Sequence, residues 1–132
     1  MFGDILSNLL IMLIVFAYCL FLTEVLELLF AFIFGVRRKD LGLVALANAL
    51  TNPWVVFLVS VNADKHFTYT IILPILELTA IAVEAFIYRK YSQTIRYPIW
   101  LSIGANLFSL IVGTLIGTFM VMLLIAFSMY KF

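Results

Sequence analysis

Charge is what this sequence has least of. Asp, Glu, Lys and Arg make up only 11% of its 132 residues, while 66% are hydrophobic; a soluble domain runs near ~25% charged. A water-soluble fold of this size leaves too much surface exposed to hide that apolar fraction, so the solvent is lipid. The same composition excludes disorder. Net charge is +1 and no basic tract exceeds Arg37-Arg38-Lys39, which leaves no electrostatic footprint for nucleic acid. The one cysteine, Cys19, permits no internal disulfide and no paired-cysteine redox or zinc site. The one histidine, His66, lies in a loop without a second His or Cys. No Ser/His/Asp or HExxH arrangement exists to support a hydrolase, so an enzyme is not expected, nor is a cofactor.

What is present is four apolar runs separated by short polar loops. They extend from Ile5 to Val36, Leu41 to Val61, Phe67 to Tyr88 and Pro98 to Tyr130. Each exceeds the ~20 residues needed to cross the hydrocarbon core, and none alternates strictly as a barrel strand would. The expected fold is therefore an all-α polytopic membrane protein, a single domain over 1–132 with helices at about 5–36, 41–61, 67–90 and 98–130. Met1-Phe2-Gly3-Asp4 lacks a positive n-region, and the run after it is too long for a signal peptide, so it reads as a retained helix.

Lys and Arg are unevenly placed. The first and third loops carry Arg37, Arg38, Lys39, Arg89, Lys90 and Arg96, while the other side carries Lys65 and Lys131. By the positive-inside rule, loops 37–40 and 89–97 are cytoplasmic and both termini lie outside a cell membrane. The first and last runs reach roughly 48–50 Å at 1.5 Å per residue, beyond the ~30 Å core. Steep tilt or an interfacial first turn accommodates the surplus; alternatively the outer ends, Phe2 to Phe16 and Phe119 to Phe127, pack on another copy of the chain or on a membrane partner.

Of the seven acids, Glu24, Glu27, Glu77 and Glu84 lie inside spans, and no Lys or Arg lies within the apolar runs to pair with them. An ionisable group in a span is costly and marks a candidate functional site. Counted from the cytoplasmic charges, Glu27, Glu24 and Glu77 lie roughly 15–20 Å deep and Glu84 ~8 Å. Asn48, Thr51 and Asn52 on the second helix, and Asn106 and Ser109 on the fourth, reach ~12–18 Å. These residues recur at helical spacing, as in Glu24-Glu27-Ala31, Asn48-Thr51-Asn52-Val55, Glu77-Ile81-Glu84-Tyr88 and Ser102-Asn106-Ser109-Gly113, so each set shares one side of its helix. Membrane helices bury such small and polar faces against one another. The expected interior is an acidic, oxygen-rich layer, with these nine polar residues as candidate ion or substrate ligands and any metal left open.

Two prolines bear on that layer. Pro53 cannot bond the carbonyl of Ala49, nor Pro74 that of Thr70, and a freed carbonyl in a span needs another partner. Asn48-x-x-Thr51-Asn52-Pro53 reads either as kink repair or as an oxygen site of the kind hard cations prefer. Glu77, beside a kink at the midplane, is the leading candidate for a functional carboxylate; its structural alternative is a neutral acid bonded to Asn48 or Asn106. Glu24 and Glu27, one turn apart, repel if both are charged and no cation is bound. Glu84 reads as structural, within reach of Arg89 or Tyr88. Gly113-x-x-x-Gly117 is a helix-packing signal of modest specificity.

The halves echo each other. Glu27-Leu28-Leu29 aligns with Glu77-Leu78-Thr79, and Ala47-Asn48-Ala49-Leu50-Thr51 with Ala105-Asn106-Leu107-Phe108-Ser109. Each half is a Glu helix, a basic loop and an Asn helix, the pattern of a parallel two-helix repeat such as several transporters use; chance similarity between apolar segments is the other reading. The run Phe34-Gly35-Val36-Arg37-Arg38, the Asn48-x-x-Thr51-Asn52-Pro53 segment, Glu77, Glu84-x-x-x-Tyr88-Arg89 and Ala105-Asn106-x-x-Ser109 together resemble an uncharacterised family of small bacterial four-helix membrane proteins. The resemblance covers most of the chain and implies the fold without an activity. Small multidrug transporters carry their Glu early in the first helix, whereas here it is late. The membrane glutathione-transferase family has Asn-x-x-Glu where this chain has Asn48-x-x-Thr51.

Two functions from different classes fit these features. One is cation- or proton-linked transport through a homo-oligomer, motivated by the unpaired acids, the interrupted helices and the half-repeat. The other is a non-catalytic structural or accessory subunit whose polar layer serves packing and whose long first and fourth helices dock a partner.

Overall fold

A computed structural model describes residues 2–62 and 65–130. Ala63, Asp64, Lys131 and Phe132, which enter the loop and orientation readings above, lie outside the described residues. Four helices follow in chain order: α1 (Phe2–Ile33), α2 (Arg38–Val61), α3 (Leu73–Tyr91) and α4 (Pro98–Tyr130), with a π-helical turn, Thr68–Ile72, leading into α3. No strand occurs among the described residues. Each helix packs beside the next, and α1 packs against α4, closing a ring without diagonal helix contacts among the described residues. Stretches of 25, 24, 24 and 30 residues in these four helical segments are long and apolar enough to span a bilayer, so the chain is an all-α multi-pass membrane protein.

The helix limits differ from those expected, for local reasons. α1 stops at Ile33 rather than Val36 because Gly35 adopts φ +82°. The Val36 N–H then reaches back to the carbonyl of Ala31 at 3.0 Å and the Gly35 N–H to that of Phe32 at 3.0 Å, a Schellman-type ending whose apolar contact is the buried Ala31–Val36 pair. A Cβ on Gly35 would touch nothing within 4 Å, so the cost of Gly35→Ala is conformational alone. We expect a loss of about 1 kcal/mol, read by denaturant unfolding in micelles. α2 begins earlier, at Arg38, so that Asp40 falls in its first turn. Pro53 sits inside an uninterrupted α2, while Pro74 lies in the first turn of α3, where the missing N–H costs least. The chain before Pro74 widens into the π turn, in which the Leu73 N–H bonds the carbonyl of Thr68.

Packing is strongest at the end carrying the basic loops. Ala31, Val36, Val44, Ala47, Tyr88 and Leu101 form one buried cluster there. The carboxylate of Asp40, itself buried, ties this end together across the chain. It accepts the backbone N–H of Thr94 at 2.6 Å, that of Gln93 at 3.2 Å and the Thr94 hydroxyl at 2.5 Å. α1 and α4 meet tightly at Gly104, where a Cβ would stand 2.5 Å from the Phe30 ring. That ring stacks on Phe34 at 4.2 Å and meets Phe108 at 5.5 Å. The Gly113/Gly117 pair is not a contact of this kind, because a Cβ would meet only Leu26 at 3.8 Å at the first and nothing at the second. At the other end, Met12 to Val15 and Met120 to Leu123 are all exposed. Four successive residues cover every side of a helix, so α1 and α4 lack close protein neighbours there.

Candidate functional site

Between the packed end and the splayed end lies a polar layer in which all four helices take part. Glu27, Asn48, Thr51, Asn52, Glu84, Ser102, Asn106 and Ser109 are all buried; Glu24 and Glu77 are half-buried. The helical spacing accounts for this, since each helix turns its polar stripe toward its two neighbours. The two fully buried carboxyls have opposite surroundings.

Glu84 is saturated. Its Oε1 accepts the Thr51 hydroxyl from α2 at 2.8 Å, and its Oε2 accepts the Ser102 hydroxyl at 2.8 Å and the Asn106 amide at 2.5 Å, both from α4. A hydroxyl has a single proton, so Thr51 and Ser102 give up the longer bonds back to Ala47 and Ile81, at 3.2 and 3.1 Å. The second amide hydrogen of Asn106 goes to the carbonyl of Ser102 at 3.0 Å. Glu84 thereby clamps α2, α3 and α4 together. It does not reach Tyr88 as sequence spacing allowed: the Tyr88 hydroxyl is buried and makes no hydrogen bond, because its ring is held in the apolar cluster beyond.

Glu27 is open. Its Oε1 accepts the Ser109 hydroxyl at 3.1 Å, a single proton that Ser109 divides between Glu27 and the Asn106 carbonyl at 3.0 Å. This one shared bond joins α1 to α4, while Glu27 Oε2 is buried without a partner. Across from it, the Asn52 amide nitrogen is also without a partner, as are both polar atoms of the Asn48 amide. The Asn52 amide lies near the Glu27 carboxyl and interacts with it, short of the geometry of a full hydrogen bond. Neither Asn48 nor Asn106 bonds Glu77: Asn106 is taken by Glu84, and Asn48 is unpartnered. A cavity of about 240 Å³ runs from Glu27, Asn52, Ser109 and Glu77 toward Cys19 and Thr114, that is, toward the splayed end. A second cavity of about 310 Å³, between α1 and α2, joins Glu24 to Asn48, Asn52 and Pro53.

Buried polar atoms in native proteins are almost always satisfied, by protein, by water or by an ion. Here every unsatisfied one among the described residues belongs to Glu27, Asn48, Asn52 or Tyr88. Sequence spacing placed these side chains in the layer but did not show which carboxyl was filled. No group of three or more His, Cys, Asp and Glu side chains converges as a metal cage among the described residues. The groups that do converge on Glu27 are a hydroxyl and an amide nitrogen, a set suited to a proton or water and, once the amide presents its carbonyl, to a hard ion of low charge.

The hydrogen bonds also relate the two halves in a register of their own. Ser109 of Asn106-x-x-Ser109 serves Glu27, and Thr51 of Asn48-x-x-Thr51 serves Glu84. Structurally the partner of Glu27 is thus Glu84, about two turns beyond the Glu77 that matches it by sequence. The two halves then differ in two respects: Asn106 and Ser102 both bond Glu84, whereas Asn48 bonds nothing and Val44 stands in the place of Ser102. Compared with known proteins, the chain matches no family model, no curated protein and no solved structure.

Proposed function

We propose that the protein is a non-enzymatic component of cation- or proton-linked transport, with Glu27 as the carboxylate that takes the ion. The observation that carries this reading is the unpartnered Glu27 Oε2, facing unpartnered Asn52 at the head of a cavity that leads to one end of the bundle. Leaving a buried polar atom unmet costs about 1–3 kcal/mol, so four helices do not keep several such atoms in one place without something to occupy them. In this reading the Ser109 hydroxyl oxygen and, with the amide turned over, the Asn52 carbonyl oxygen complete the inner coordination of a cation, while a bound proton or water is met by the amide as it stands. Glu77 and Glu24 guard the two cavities that reach it, and the Glu84 clamp is the fixed frame. The apolar cluster around Tyr88 closes the basic end, so the site faces the side opposite loops 37–40 and 89–97. With those loops cytoplasmic, the site faces outward. Four helices enclose little pathway by themselves, and a homo-oligomer is part of the proposal.

The test is thermal unfolding of the purified protein across pH 5–9 and a panel of Na⁺, K⁺, Mg²⁺ and Ca²⁺, beside Glu27→Gln. A ligand that binds only the folded protein stabilises it by about 2.7 kcal/mol at a hundredfold excess over its Kd. One cation, or acid, should stabilise the wild type selectively, and Glu27→Gln should remain folded and lose the response. A flat response in both proteins sinks the proposal. It would favour the accessory-subunit reading, which the exposed apolar lengths of α1 and α4 also support.

A further inference from the structure

The basic end holds a second candidate site, independent of the ion proposal. Arg89 at the end of α3, Ser92 just after it, Arg96 in the loop and Ile99 at the start of α4 line one cleft of about 380 Å³. Arg96 also borders a neighbouring cavity of about 430 Å³, whose walls are Phe34, Val36, Ile95, Trp100 and Leu101, a volume within the ~300–1,000 Å³ of ordinary ligand pockets. Two guanidiniums and a hydroxyl thus border one cleft beside an apolar groove, with one arginine common to both. Neither arginine is paired with a carboxylate among the described residues, and Arg96 instead lies 5.4 Å from the Tyr97 ring. Asp40, whose carboxylate is bonded to the loop between the arginines, is already taken up by the Gln93 and Thr94 N–H groups and the Thr94 hydroxyl. Those bonds fix the loop between the two arginines, so the cleft is held in shape.

The chemistry that matches is an anion with a hydrocarbon tail. Guanidinium groups bind phosphate oxygens through charge-assisted, often bidentate hydrogen bonds, and the groove beside them is apolar. The surroundings are those of a membrane surface: Trp100, Tyr97 and Phe34 are 72%, 59% and 68% exposed, and Trp and Tyr favour the headgroup level. Basic pockets between spans at such a surface suit anionic headgroups. We propose that this cleft binds the phosphodiester of an anionic phospholipid between Arg89 and Arg96, with one acyl chain lying in the groove lined by Phe34, Trp100 and Leu101.

Binding is measured by titrating the full-length protein, in neutral detergent, with phosphatidylglycerol, with phosphatidylcholine and with inorganic phosphate. Phosphatidylglycerol should bind most tightly, and Arg89→Gln/Arg96→Gln should weaken it about thirtyfold, from the loss of two direct charge-assisted contacts to the phosphodiester. The control Arg37→Gln/Arg38→Gln removes the same charge outside the cleft and should change binding by less than about threefold. All these positions are exposed, so the variants fold. In a Trp54→Phe background, Trp100 is the one remaining tryptophan. There, chain-brominated phosphatidylglycerol should quench it at a lower mole fraction than brominated phosphatidylcholine. Equal binding of the two lipids, equal loss in the control pair, equal quenching, or phosphate binding as tightly as the lipid each overturns the proposal.

Discussion

Replacing Glu84 by alanine is expected to destabilise the protein by about 4 kcal/mol, the largest loss of any substitution considered for this bundle. Three side-chain donors, from Thr51, Ser102 and Asn106, converge on that carboxyl. Side-chain hydrogen bonds between membrane helices are worth ~0.6 kcal/mol on average and up to ~1.7 kcal/mol, and these bonds lie at 2.5–2.8 Å in a fully buried position. Three such bonds contribute roughly 3 kcal/mol, and the void left by the missing side chain adds about 1 kcal/mol. Glu84→Gln keeps the shape and one carbonyl acceptor but turns an amide toward donors already there, so about half that loss is expected. Unfolding in mixed micelles measures both. If Glu84→Ala cost no more than Glu27→Ala, the clamp would not be where the bundle draws its cohesion, and the contrast between a filled and an open carboxyl would fail with it.

That contrast could not be read along the chain, although much else could. Four spans followed from the near absence of charge between Ile5 and Tyr130 outside three loops, and the polar faces followed from three- and four-residue spacing. Which glutamate is filled depends on which donors arrive from other helices. Glu84 meets Thr51, Ser102 and Asn106 from far along the chain, and spacing within one helix is blind to that. Glu77 looked the stronger functional candidate because it lies near Pro74, but the proline's effect is absorbed upstream by the π turn. Glu77 stands at the edge of the cavity, while Glu27 occupies its buried end. Asp40 read as the polar end of a loop, since nothing local marks a carboxylate whose partners are Gln93 and Thr94. The ending of α1 was legible in principle from Phe34-Gly35-Val36, because glycine just past a helix is the usual residue for a left-handed turn.

Cys19 offers a direct test of whether the cavity beside Glu27 holds water. It is the one cysteine in the chain, is half-buried, and lines the same cavity as Glu27, Asn52 and Ser109. The thiolate attacks methanethiosulfonate reagents and displaces their sulfinate, and it forms in water and not in hydrocarbon. A charged, membrane-impermeant methanethiosulfonate should therefore modify Cys19 in proteoliposomes from the side opposite the basic loops. The rate should be roughly a hundredfold above that of a cysteine placed at Leu29, which is exposed on α1 at hydrocarbon depth, in a Cys19→Ser background. From the basic-loop side the cluster around Tyr88 should block the reagent, and Tyr88→Ala should admit it. The cation that stabilises the protein should slow modification in the wild type and leave the Glu27→Gln rate unchanged. Equal labelling from both sides would mean that the Tyr88 cluster is no barrier. Complete protection would mean a dry cavity, and a dry cavity cannot keep Glu27 Oε2 and the Asn52 amide apart at about 1–3 kcal/mol each. The two side chains would then bond each other, and the open carboxyl would become a second clamp like Glu84.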